Sequence, residues 1–122
     1  IGLGAAVAYV NSLNREALNL EEQSLIKSTL DALSGMPRIK LIGQPAERLS
    51  VISFNIEGAH PHDVGQLLDQ QGVAVRTGHH CTMPLMSRLN IPGTVRASFS
   101  FYSNQEDSRR LIEAVEKATD LL

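Results

Sequence analysis

The run VAVRTGHHCTMPLM, at residues 73–86, predicts a strand, a turn and a helix start in immediate succession. Residues 73–76 open with a β-branched pattern that predicts the strand. Gly78 lets the backbone turn without a Cβ penalty, and Pro84 suits the first position of a helix, where a missing N–H costs nothing. The turn carries Cys81, which is the only cysteine of the chain. A loop tip presented in this way by a rigid scaffold is a common place for a reactive group.

The residue types around the cysteine leave its role open. A lone cysteine in a globular protein is most often a small buried hydrophobic residue. The alternative is a nucleophile, because nearby cations and helix N-termini favour the thiolate and a neighbouring histidine can act as a general base. The residues that would tune such a thiol are His79, His80 and Arg76.

A metal site is a third interpretation of the same segment. The chain offers five candidate ligands, which are His60, His62, His79, His80 and Cys81. Their spacing does not match the pairs that zinc usually takes, and adjacent histidines on a strand would point apart. We therefore predict no metal site, with His60 and His62 as surface residues at a helix start.

Length and composition predict one ordinary globular domain. The 122 residues are 43% hydrophobic and 20% charged, which is enough to build a buried core. The net charge of −2 and the lack of a basic patch with interleaved aromatics argue against nucleic-acid binding. No apolar run approaches the ~20 residues that span a bilayer, so no membrane association is expected. A single cysteine excludes an internal disulfide and favours a cytoplasmic location.

Hydrophobic periodicity outside the central run predicts helices first and then strands interleaved with helices. This order predicts an α+β fold, with one small mixed or antiparallel sheet covered by helices. Asn14 or Asn19 is expected to cap the second helix, and Asn104 the last. The last helix should bury Leu111, Val115, Ala118 and Leu122. The predicted helices are 1–13, 15–34, one that starts at 61 and stops at 72, a short one around 85–89, and one that follows residue 104. The predicted strands are 39–42, 49–56, 73–76 and 94–101.

Arg96 is the second residue that the pattern singles out. Val95 and Ala97 face one side of the predicted strand, whereas Thr94 and Arg96 face the other. An arginine there is either an ordinary surface residue or a guanidinium that grips a substrate carboxylate, for which its planar fork is well shaped.

The run R-T-G-H-H-C-x-x-P-L-M resembles the active-site cysteine loop of group II cysteine desulfurases, the SufS/CsdA type. These are fold-type I enzymes that depend on pyridoxal phosphate (PLP). The runs HPHDV at 60–64 and GTVRASF at 93–99 also resemble that family, so the similarity covers essentially the whole chain. Thr82 and Met83 replace the commoner Ala-Gln or Ala-Met of the loop, which leaves the thiol in place.

The resemblance implies a position within a longer protein. The chain begins at Ile1 rather than Met, and we expect a fragment that matches the C-terminal third or so of such an enzyme. Residues 1–122 would then form the single small C-terminal domain. Residues 1–13 would be a helix that connects it to the large PLP domain of the same polypeptide.

The resemblance also implies roles for individual residues. Cys81 would take the sulfur of L-cysteine as a persulfide and release alanine, and Arg96 would bind the substrate α-carboxylate. A sulfur-acceptor protein would then receive the sulfur for iron–sulfur cluster assembly. Enzymes of this type are homodimers and can also act on selenocysteine, so a selenocysteine lyase is an alternative.

The three lysines set a limit on what this chain can do alone. Lys27, Lys40 and Lys117 lie in segments that match other parts of the family, and none lies in its PLP-lysine motif. We therefore expect no cofactor-binding residue here and an inactive isolated chain. A non-catalytic thiol or metal-binding module is the competing hypothesis. A class-V aminotransferase with another reaction is disfavoured, because such relatives typically lack the loop cysteine.

Overall fold

Four antiparallel strands and five helices make up the computed structural model, which describes all 122 residues. The strand order is β1-β2-β4-β3, and every neighbouring pair is antiparallel. The predicted α+β fold with an antiparallel sheet is therefore confirmed. The helices are α1 (Gly2–Ser12), α2 (Arg15–Ser34), α3 (Pro61–Gln70), α4 (Met83–Leu89) and α5 (Gln105–Leu121), and the strands are β1 (Ile39–Ile42), β2 (Val51–Ile56), β3 (Arg76–Gly78) and β4 (Thr94–Ser98).

Side-chain caps fix where three of the helices begin. Asn14, rather than Asn19, caps α2 by accepting a hydrogen bond from the Ala17 N–H at 3.3 Å. Asn104 caps α5 in a capping box, in which the Asp107 carboxylate returns a bond to the Asn104 N–H. His60 caps α3 through Nδ1, a structural role that the sequence did not predict. None of the five helices combines the length and the apolar character that crossing a bilayer requires.

The core lies on one face of the sheet, beneath α2, α3 and α5. Ile52, Phe54 and Ile56 alternate as buried residues along β2, and Val95 and Ala97 continue that face on β4. The three helices add the rest of a core cluster of 13 buried residues. The predicted α5 core residues are confirmed except Leu122, which is 43% exposed because the helix ends one residue earlier.

The opposite face of the sheet is more polar and less completely covered. Ser53 and Asn55 of β2 and Arg96 of β4 lie there and are half-buried. Helix α1 adds nothing to the core, since none of its residues is buried. Its Tyr9 ring lies 6.2 Å from that of Phe101, centroid to centroid.

Three strands differ from the sequence prediction at their ends. Strand β2 begins at Val51 rather than at 49. The predicted strand 73–76 is wrong in position, because the paired residues are Arg76–Gly78. Residues 73–75 are not paired with β4, and a cleft of about 460 Å³ opens between them and residues 97–99. Strand β4 ends at Ser98 rather than at 101, since a Ser100–Ser103 turn follows.

Candidate active site at the cysteine loop

Residues 79–82 form a tight loop between β3 and α4. Gly78 enters it with φ +112°, and His80 and Cys81 both have left-handed backbones, with φ of 53° and 59°. Two consecutive non-glycine residues in that region are unusual, so the surrounding contacts must hold them there. Cys81 is exposed. The structure thus confirms the predicted position of Cys81 between a strand and a helix start, and the buried-hydrophobe interpretation is wrong.

His79 organises the backbone of the loop. Its Nδ1 accepts a hydrogen bond from the Cys81 N–H at 3.1 Å. Its carbonyl accepts bonds from the Thr82 N–H at 2.9 Å and from the Thr82 hydroxyl at 2.7 Å. The imidazole therefore fixes the cysteine main chain rather than the thiol.

His80 ties the loop to the neighbouring strand. Its Nε2 lies 3.2 Å from the Thr94 carbonyl oxygen and 2.9 Å from Thr94 Oγ1. A carbonyl oxygen can only accept, so we assign the ring proton to Nε2. Nδ1 is then an unprotonated acceptor, and it is buried without a partner in this chain. Thr94 was predicted to share a face of β4 with Arg96. It is only 2% exposed, and His80 contacts it there.

The electrostatic surroundings of His80 favour its neutral ring. Burial lowers the pKa of His80 from its ordinary value of 6.5, and the positive charges of Arg96 and Arg76 act in the same direction. The hydrogen bond to the Thr94 carbonyl opposes them. A neutral ring agrees with the geometry, since a proton on Nδ1 would have no acceptor.

Arg96 and Arg76 lie side by side on the polar face of the sheet. They are directly opposite in the β3–β4 ladder, and Ser53 of β2 lies on the other side of Arg96. Arg96 is half-buried, its Nε has no hydrogen-bond partner, and neither guanidinium is paired with a carboxylate of this chain. Like charges placed opposite each other are unfavourable unless an anion lies between them. This part of the face is therefore suited to a carboxylate.

A third buried atom without a partner lies on the same face. Asn55 donates from Nδ2 to the Gly93 carbonyl at 2.9 Å, but its Oδ1 is buried and unpaired. Asn55 was not among the residues predicted to be functional. Its one signal in the sequence was that asparagine is uncommon inside strands.

The thiol itself makes no hydrogen bond to His79 or His80, and each ring bonds elsewhere through one nitrogen only. Their predicted influence on the thiol, and that of Arg76, stays a prediction. No three His, Cys, Asp or Glu side chains gather as a metal site, and His60 and His62 lie at the start of α3.

Close backbone packing determines the shape of the loop entrance. A Cβ on Gly93 would lie 2.8 Å from both the carbonyl carbon and oxygen of Gly78. A Cβ on Gly65 of α3 would lie 2.4 Å from Thr77 Cγ2. Glycine at 93 and 65 thus lets β3 and its flanking segments approach closely. The sequence predicted only a turn at Gly78.

The residues of this chain do not fit a complete PLP site. Such a site needs a lysine for the Schiff base, together with a phosphate cradle. Lys27, Lys40 and Lys117 are exposed on α2, β1 and α5, three separate elements. None of them has the enclosed setting that the cofactor requires.

Comparison with known proteins gives a consistent family. Residues 1–111 match the family described as Aminotransferase class-V. A cysteine desulfurase of Serratia proteamaculans is 48% identical over all 122 residues, which are 30% of its own length. The apo cysteine desulfurase of Thermococcus onnurineus has a TM-score of 0.91 and 35% identity, and the cysteine desulfurase CsdA of Escherichia coli has a TM-score of 0.90 and 32% identity.

Both structural matches cover 99% of this chain and 30% of the matched chain. The 122 residues thus span about a third of the length of these relatives. The fold carries an exposed loop cysteine and two arginines that lie opposite each other in neighbouring strands. The chain belongs to the class-V aminotransferase family and is similar over its whole length to cysteine desulfurases.

Proposed function

We propose that this chain is the small C-terminal domain of a PLP-dependent cysteine desulfurase, and that Cys81 is the residue that accepts sulfur from the substrate. The observation that carries the proposal is the placement of the only cysteine. It is exposed on a strained loop that is tied to β4 two residues from Arg96. The similarity of the whole chain to cysteine desulfurases supports the same assignment.

The proposed reaction transfers one sulfur atom to the enzyme. The Cys81 thiolate attacks the sulfur of L-cysteine, and a new S–S bond forms as the C–S bond breaks. The electron pair of the broken bond stays on the carbon skeleton, which takes up a proton and leaves as L-alanine. Cys81 keeps the sulfur as a persulfide, and the exposed loop then lets a thiol of an acceptor protein reach it.

Arg96 is proposed to bind the substrate α-carboxylate. A planar guanidinium can hold a carboxylate through two parallel hydrogen bonds. The half-buried position of Arg96 and its unpaired Nε leave that capacity free within this chain. Arg76, directly opposite, adds positive charge to the same place.

The remaining parts of the activity belong to the proposed parent protein. We assign the electron sink for C–S cleavage to PLP held by residues outside this chain, because the three lysines here do not fit a cofactor site. We further propose a cytoplasmic homodimer that supplies sulfur for iron–sulfur cluster assembly. The isolated 122-residue chain should be inactive.

The test is alanine formation from L-cysteine by the full-length parent with PLP and a reductant. We expect Cys81→Ala to lower turnover by roughly 10³-fold or more, as loss of a nucleophile commonly does. Ser87→Ala, an exposed change on α4, is the matched control and should keep full turnover. Unchanged turnover in Cys81→Ala would remove the role of the thiol, and no turnover in the wild type would favour a binding module.

A further inference from the structure

The imidazole of His80 has two unlike ends. Its Nε2 bonds to both oxygens of Thr94, whereas its Nδ1 is buried and has no partner. We propose that His80 is a positioning residue for the Cys81 thiol, and that it acts only as the neutral ring with its proton on Nε2. This inference rests on the proposed function of Cys81 and deepens it.

The hydrogen bonds to Thr94 are the side-chain link between the loop and β4. Thr94 and Arg96 are two residues apart on one strand, so their side chains share a face. His80 precedes Cys81 directly, and both have left-handed backbones. The bond to Thr94 therefore sets the distance between the thiol and the guanidinium of Arg96. His79 cannot replace it, because its bonds to Cys81 and Thr82 remain within the loop.

Only the neutral ring satisfies this arrangement. A proton on Nδ1 would be buried without an acceptor, and the ring would become a cation among other positive groups. The charged or titratable groups that face it are Arg96 from β4, Arg76 from β3 and His79 from the loop itself. All three disfavour the protonated ring, and none of the groups that act on it is a carboxylate.

Attachment of the loop to β4 should weaken in mild acid. The pKa of His80 is lowered in the folded protein from its ordinary 6.5, so the folded state binds fewer protons there than the unfolded state. The stabilisation of the loop is complete above pH 6.5 and is lost as the pH falls through the lower, folded-state value. Mild acid should release the loop from β4.

Hydrogen exchange of the full-length parent tests this without relying on turnover. An acid-active protease, which cleaves at the low pH that preserves the label, yields peptides that contain the loop at residues 79–82. We expect His80→Ala to speed exchange of the loop amides about tenfold, the effect of losing one hydrogen bond. His80→Gln can still donate to Thr94 and should restore most of the protection.

The pH series separates positioning from a merely structural effect. After correction for intrinsic exchange rates, the wild-type loop should lose protection as the pH falls below 6.5. The loop of His80→Gln should lose less protection, because glutamine does not titrate. Exchange in α5 should stay unchanged in every variant, which shows that the domain is folded.

Kinetics complete the test. For His80→Ala we expect kcat to fall about tenfold while KM for L-cysteine stays within about twofold, because Arg96 is untouched. His80→Gln should recover most of kcat. If Gln is as impaired as Ala, or if the wild-type loop shows no pH-dependent protection, the proposal is wrong. A fully active Cys81→Ala would instead overturn the proposed function and leave the exchange result standing.

Discussion

Replacing Gly93 with alanine should destabilise the protein at the entrance of the cysteine loop. The new Cβ would lie 2.8 Å from the carbonyl carbon and oxygen of Gly78 and 3.0 Å from its Cα, where ordinary contacts begin at 3.4 Å. The two segments must therefore separate by about 0.6 Å. The neighbouring atoms are backbone and cannot rotate away. Overpacking of this kind costs ~1–3 kcal/mol, and the entropic gain of alanine over glycine returns only ~0.4–1 kcal/mol.

Urea unfolding of the 122-residue chain measures this difference directly. We expect Gly93→Ala to lower the free energy of unfolding by about 1–2 kcal/mol. Gly4→Ala is the matched control, since a Cβ there meets nothing within 4 Å and lies in α1. In a helix interior that change should be neutral or stabilise by up to ~1 kcal/mol. A Gly93→Ala protein as stable as the control would refute the close approach of Gly78 and Gly93.

Two further predictions concern Arg96 on the polar face of the sheet and the contact between α3 and β3. Arg96→Lys in the full-length parent should raise KM for L-cysteine about 10–100-fold, because lysine cannot replace the bidentate fork of arginine. The control Arg88→Lys changes an exposed residue and should leave KM unchanged. Equal KM values for the two variants would argue against carboxylate binding at Arg96. Gly65→Ala should cost ~1–3 kcal/mol in urea unfolding, since its Cβ would lie 2.4 Å from Thr77 Cγ2. Adding Thr77→Ser removes that methyl group and should restore most of the loss, and a double variant without recovery would contradict this contact.

Local patterns predicted the elements whose signals lie within a few residues. The helix 15–34 was predicted at its observed bounds, because apolar periodicity and a capping asparagine agree. Strand 39–42 was also predicted at its observed bounds. The cysteine loop was predicted between a strand and a helix start for the same reason, since Gly78 and Pro84 mark its two sides.

Features that depend on distant segments were not predictable. Residues 73–75 have the composition of a strand, but pairing with β4 determines which residues form the ladder, and it begins only at Arg76. The bond from His80 to Thr94 joins residues 14 apart in sequence. The roles of Asn55 and of the Gly78–Gly93 contact likewise require knowledge of which strands are neighbours.

The strand order β1-β2-β4-β3 has a consequence for the order of events during synthesis. Strand β3 is an edge strand whose only partner, β4, comes later in the chain. A nascent polypeptide therefore carries Cys81 for some time before anything can hold its loop in place. The loop acquires the bond from His80 to Thr94 only after the ribosome has passed Ser98 and that segment has joined the sheet. The cysteine loop is thus fixed in place late in synthesis, and a chain truncated before β4 would have no strand to hold that loop.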